Sequence, residues 1–284
     1  MILLITFPYL ALRALVWRGL LEHLGIEVPW RPMLVSFASG EITKSLPAGV
    51  YAQNYFLARL QHSGQDDVAR ASMATTAMLG LEAAVIFPVG LVLGWPGQPW
   101  VRWALLGVAA AWIVVLGLAW LLVRYGAHRM SERTPGWRIT RFLEEFLGAG
   151  RELLTWRVAR YLAPTALYVL IYAVDLYVII RALGIHHIGF LHTAGIYALV
   201  SLANILVPIP TEVGLTEFAG LMAIVAYGIP RPAAAIVMLG LRVLATGMTI
   251  AVSGALIVFL REQLSSSADG MTDKEPGASD AWRS

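Results

Sequence analysis

The chain has 284 residues, 58% of them hydrophobic and 14% charged, with a formal net charge of +3. So apolar a composition excludes a water-soluble globule, and basic residues scattered among apolar stretches exclude a nucleic-acid surface. There is no cysteine, which removes disulfides, thiol catalysis and thiolate metal sites.

Crossing a hydrocarbon core takes roughly 20 apolar residues in helical form. In chain order, the first candidate is 1 to about 17, a short span that carries Arg13 and Arg18. Those basic residues sit at the wrong end for a cleaved signal peptide. Next comes SFASGEITKSLPAGVYAQNYFLARL from Ser36, broken at Pro47 to Gly49, and then the spans 68–94 and 101–123. The connection 124–160 is basic and amphipathic, with Ile139, Phe142, Leu143, Phe146 and Leu147 on one stripe, suited to lying on the membrane surface. A span at 159–183 contains Asp175, and ALVSLANILVPIPTEVGLTEFAGLMAIVAY from Ala198 is broken at Pro208 and Pro210. The last span is 233–260, and the polar Gly/Ser/Pro-containing tail 265–284 is expected to be disordered.

Proline removes a hydrogen-bond donor and disfavours helix in the residue before it, so each broken stretch divides into two half-helices too short to cross. Each is expected to form a re-entrant hairpin, its irregular backbone shielded by protein or a water-filled cavity. The fold class is therefore an all-α polytopic membrane protein with about five transmembrane helices and two Pro-broken hairpins, forming a single membrane domain over 1–264. Sixteen of the 21 Lys and Arg then fall on one side, which the positive-inside rule makes cytoplasmic, C-terminus included. This arrangement puts the N-terminus outside with no helix before it, so a missing upstream span or a late assigned start is expected.

Three phrases recur in order at nearly one offset. LGI appears at Leu24 and Leu183, the proline breaks lie 161 or 163 residues apart, and MLGL appears at Met78 and Met238. Such order argues for a duplication, with unit one at about 1–94, a connection at 101–157 and unit two at about 158–260. Three spans separate equivalent points, so the second unit is inverted, as in many secondary transporters whose sites lie near the midplane.

Leu46-Pro47-Ala48-Gly49, then Glu82 in the following span, then Pro208-Ile209-Pro210-Thr211-Glu212-Val213-Gly214-Leu215-Thr216-Glu217, then Arg242 in the last span, together resemble the lysylphosphatidylglycerol synthase transmembrane region, or flippase-like domain, family. The likeness covers about 12–260. Thr211 and Glu212 stand where the family usually has Gly-Gly, and the chain begins where its second span is expected. The resemblance implies an integral protein of the plasma (inner) membrane that moves or presents an anionic, aminoacylated or polyprenyl-linked lipid between leaflets. It does not imply lysyl transfer, which belongs to a separate soluble domain.

Ionisable residues inside a bilayer cost on the order of 2.5 to 3.5 kcal/mol each on insertion scales, so each needs a partner or a purpose. Glu82 and Arg242 occupy equivalent places in the two units and are expected to approach across the pseudo-twofold axis, as a structural bridge or as a gate. Glu217 and Asn54 follow the two breaks, where half-helix N-termini favour a phosphate or carboxylate. Glu217 is read as a proton carrier or a contact to a cationic headgroup. Lys44, three residues after Glu41, forms either a local ion pair or a phosphate ligand, with Arg59 behind it on the same hairpin. Asp175 is expected to pair with Arg13 or Arg18. His186, His187 and His192 fit no familiar metal site, Asp66-Asp67 reads as helix capping, and no phosphate-binding Gly loop occurs, so no metal, cofactor or catalytic residue is assigned. Substrate binding is assigned to Lys44, Asn54, Arg59, Glu82, Glu217 and Arg242, and the hairpin breaks to Pro47, Gly49, Pro208, Pro210 and Gly214.

The leading functional expectation is a non-enzymatic lipid translocator working by alternating access, with proton flux as one source of energy. Two rivals stand beside it: an accessory or enzyme subunit of lipid-linked glycan synthesis, and a small-solute secondary transporter.

Overall fold

The computed structural model describes residues 2–44, 46, 49–61, 64–93, 138–206 and 212–272, with scattered positions between 103 and 121. Side chains are described there except at 2–5, 91, 138–139, 202–206, 212–217, 219, 245 and 261–272. Most of the span expected at 101–123 and the breaks at Pro47, Pro208 and Pro210 lie outside these residues.

The described residues are helices and short connections, with no strand among them. Helix α1 (Ile2–His23) leads to α2 (Trp30–Thr43), a 3-10 turn (Gly49–Tyr51), α3 (Ala52–Gln61) and α4 (Gln65–Leu93). After α5 (Arg138–Leu153) and a 3-10 turn (Trp156–Tyr161) come α6 (Leu162–Ala182), α7 (Phe190–Leu206) and α8 (Glu212–Ala226). Helix α9 (Arg231–Leu241) passes through a π-helical turn (Arg242–Thr246) into α10 (Gly247–Thr272). Three stretches, 65–90, 156–182 and 231–260, are long and apolar enough to cross a membrane. By contrast α2, α3, α7 and α8 have 14, 10, 17 and 15 residues, below the roughly 20 a crossing requires. These short helices pack in pairs, α2 on α3 and α7 on α8.

The element order long helix, paired short helices, long helix thus occurs twice, and local geometry repeats with it. Gly25 and Gly184, in the two LGI phrases, both take left-handed backbone (φ 74° and 76°). At each, the following Ile donates back to the last helical turn, Ile26 to the Leu21 carbonyl at 3.0 Å and Ile185 to the Ile180 carbonyl at 3.3 Å. This is the glycine-dependent helix stop in which the sixth amide closes on the first carbonyl.

Two apolar cores form. One joins α1, α2, α4, α5 and α6 around Trp17, Leu20, Leu21, Met33 and Met78, and the other joins α6 to α9 around Leu176, Ile180, Ile196 and Ile224. Tyr172 and Tyr197 pack against both cores and stack on each other with ring centroids 5.7 Å apart. In a bilayer the apolar solvent removes most of the hydrophobic drive between helices, so shape-matched packing and interhelical hydrogen bonds carry the association.

The stripe of α5 packs against α4, with Leu147 buried. Arg70 of α4 bonds Glu152 at 2.8 Å, and Arg141 of α5 pairs with Asp66 at the start of α4. A helix with one apolar and one charged face satisfies both against a neighbour presenting Arg and Asp. Helix α10 continues past the expected boundary at 264 to Thr272, propagation from an anchored helix being cheaper than nucleation.

The first break depends on Gly49. A Cβ there would collide with the Thr43 carbonyl, and the Thr43 hydroxyl donates to the Gly49 carbonyl at 2.7 Å. Because the obstacle is backbone, Gly49→Ala is expected to destabilise by about 1–3 kcal/mol, as overpacking does. The measurement is a lower thermal midpoint of the detergent-solubilised protein, and an unchanged midpoint would refute the close approach.

Candidate functional site

Helix α1 is apolar over most of its length, yet it carries Arg13 into the first core, where the guanidinium is only 6% exposed. The chain meets that cost by bringing acids from two other helices. Arg13 Nη1 donates to Glu41 Oε1 of α2 and to the Tyr9 hydroxyl at 3.2 Å, while Nε donates to Glu82 Oε1 of α4 at 2.9 Å. Lys44 Nζ donates to the other Glu41 oxygen at 2.7 Å, and the Tyr168 hydroxyl of α6 donates to Glu82 Oε1 at 2.9 Å.

The result is an alternating row, Lys44, Glu41, Arg13, Glu82, closed by Tyr168. Glu41 in the middle is 1% exposed, whereas the ends, Lys44 and Glu82, are 20% and 16% exposed. The row is thus sealed inside and accessible at one cation and one anion. Aromatic rings flank it: Tyr9 lies 5.7 Å from Lys44 Nζ and meets Tyr172 edge-on at 4.6 Å, which carries the lining to Tyr197 of α7. Each half of the chain therefore supplies a short helix to this region, α2 with charges and α7 with an aromatic ring.

A second buried cluster does different work. Thr75 of α4 accepts from Gln53 Nε2 at 2.9 Å and from Trp17 Nε1 at 3.2 Å, and donates to Asn54 Oδ1 at 2.9 Å. Asn54 Nδ2 also reaches the Ser72 hydroxyl at 3.3 Å. These bonds fasten α3 to α4. Each is worth little alone in a bilayer, about 0.6 kcal/mol on average, but together they hold the hairpin against the long helix.

The expected site residues are placed unevenly. Lys44 forms its ion pair with Glu41 and stands at the tip of the α2–α3 pair. Arg59 is exposed in the last turn of α3, about 12 Å of helix beyond Tyr51, so the structure does not bring it to Lys44. Asn54 is buried in the polar cluster. Gly214 lies in the first turn of α8, while the Glu217 side chain lies outside the described residues.

Two pairings come out differently. The hydrogen-bonded ion pair of Glu82 among the described residues is with Arg13, in place of the expected Arg242. Arg242 is half-buried at the opening of the π-helical turn. Nor does Asp175 take Arg13 or Arg18, because Arg13 is held by Glu41 and Glu82 and Arg18 by Glu22 one turn on. Asp175 is buried, and its Oδ1 has no hydrogen-bond partner among the described residues. Sequence reading missed Arg13 as the centre and the tyrosines as its lining. The available signal was an arginine inside an apolar span with no acid within a turn of it.

A membrane protein whose short paired helices meet long spans around a buried ion row is the class that this fold and site define. The chain belongs to the lysylphosphatidylglycerol synthase TM region family, whose model matches residues 1–253. No curated protein matches it.

Breaking a buried pair on one side strands an uncompensated charge, at about 3–5 kcal/mol. Arg13→Met strands two carboxylates and is expected to lower the thermal midpoint in detergent sharply. The triple variant Arg13→Met/Glu41→Gln/Glu82→Gln should recover most of the loss. A triple variant no better than the single would show that Arg13 acts through packing alone.

Proposed function

We propose that this protein translocates a membrane lipid between leaflets, with the headgroup passing the row from Lys44 to Glu82. The observation that carries the reading is the row itself: an ion system buried at its centre, open at one charge of each sign, and lined by half-helices from both units. An intramembrane charge costs enough that an exposed end is a functional feature by default. Lys44 presents free N–H donors suited to a lipid phosphate, and Tyr9, Tyr172 and Tyr197 give an apolar wall that tolerates a polar tip.

In this reading α2–α3 and α7–α8 are re-entrant hairpins entering from opposite faces, and five crossings place the basic connection and the C-terminus in the cytoplasm of a plasma-membrane protein. Alternating access then consists of the two inverted units rocking about the Tyr9–Tyr172 contact, with the row exposed first to one leaflet and then to the other. The chain carries the lipid without altering it covalently, and Asp175 and Glu217 are the acids available for coupling to protons.

Purified protein in vesicles containing acyl-labelled fluorescent phospholipid should expose the inner-leaflet label to a membrane-impermeant quencher faster than protein-free vesicles do. Lys44→Met should slow that exchange about tenfold, equivalent to about 1.4 kcal/mol in the barrier. Exchange equal to that of empty vesicles for every phospholipid class tried would sink the reading.

A further inference from the structure

The row has a charge balance of its own. Arg13 and Lys44 contribute two positive charges, Glu41 and Glu82 two negative ones, and the sum is zero. Its interior is saturated: each Glu41 oxygen already accepts from a cation, and Arg13 donates to Glu41, Glu82 and Tyr9. Its ends are not. Of the three donors on Lys44 Nζ, one goes to Glu41. On Glu82, Oε1 accepts from both Arg13 and Tyr168, while Oε2 accepts no hydrogen bond among the described residues.

We propose that the row selects a zwitterionic, ethanolamine-type phospholipid headgroup, its phosphate on Lys44 and its primary ammonium on Glu82 Oε2. This rests on the translocation reading above and narrows it. A purely anionic headgroup would satisfy Lys44 but add an uncompensated negative charge beside two carboxylates, where low dielectric magnifies repulsion. A headgroup with both signs leaves the row neutral and runs antiparallel to its dipole. Between ammonium types, the open Glu82 oxygen wants an N–H donor, which a primary amine has and a quaternary amine lacks. The face of Tyr9, which could otherwise hold a quaternary cation, is already met by Lys44 at 5.7 Å and Arg13 at 6.0 Å.

The experiment uses the full chain in vesicles with tracer lipids that share one labelled acyl chain and differ only in an ethanolamine, choline or glycerol headgroup. The ethanolamine tracer is expected to exchange at least tenfold faster than the glycerol tracer, and faster than the choline tracer. Glycerol exchange as fast as ethanolamine overturns the zwitterion assignment while leaving translocation intact, and equal choline exchange overturns the role of the N–H donor. No exchange of any tracer above protein-free vesicles removes translocation and this inference together. Uptake of free glycerophosphoethanolamine without lipid exchange overturns the lipid in favour of a soluble zwitterion. Glu82→Gln keeps an oxygen for Arg13 and Tyr168 but puts an NH2 where the ammonium would sit. It should bring the ethanolamine-to-glycerol ratio to about one or below. Because the ratio comes from two tracers on one preparation, partial loss of folded protein cancels, and an unchanged ratio overturns the placement at Glu82.

Discussion

A guanidinium inside an apolar helix bundle has to be answered by carboxylates that arrive from elsewhere in the chain. Arg13 on α1 takes Glu41 from α2 and Glu82 from α4, and Tyr168 of α6 closes the far end on Glu82. Four helices are thereby held to one point, since withdrawing any of them strands a charge or a polar group where water cannot replace its partner. The tip of the first short pair follows from this constraint. Glu41 sits within the last turn of α2, so its pairing with Arg13 brings Lys44 into one row with Glu82.

Around that point the two units meet through tyrosine. Rings suit the junction because they fill apolar space while offering hydroxyls to the ions, as Tyr9 and Tyr168 do. Tyr9 of the first unit meets Tyr172 of the second edge-on, so motion of one unit against the other works on that contact, while Tyr172 and Tyr197 pack against both apolar cores. The polar cluster on Thr75 serves stability by contrast: Gln53, Asn54 and Trp17 spend their hydrogen bonds on it, which makes α3 a fixed companion of α4.

Local information stops at the choice of partners for buried charges. The long spans at 68–94, 159–183 and 233–260, the shortness of the paired helices and the local pair of Lys44 with Glu41 could all be read from apolar run length, proline placement and helical spacing. Family membership could be read as well, because Pro, Gly and acidic residues at set spacing need no tertiary knowledge. Symmetry was a sound guide to backbone, as the matching left-handed turns at Gly25 and Gly184 show, and a poor guide to side chains. It matched Glu82 with Arg242, whereas Glu82 takes Arg13.

What the sequence determined by itself was therefore what depends on residues within a few turns of each other: the long apolar spans, the shortness of the paired helices and the local pair of Lys44 with Glu41. What only the tertiary structure decided was which charges share a site. Arg13 and Glu82 are 69 residues apart, and Tyr168 stands a further 86 along the chain. Any of several acids could have compensated a buried arginine at equal cost, and only the packing of α1 against α2, α4 and α6 selects among them. The packing of α5 on α4 was likewise decided only there, because an amphipathic stripe is satisfied equally by lipid or by a neighbouring helix and its pattern is the same in either case.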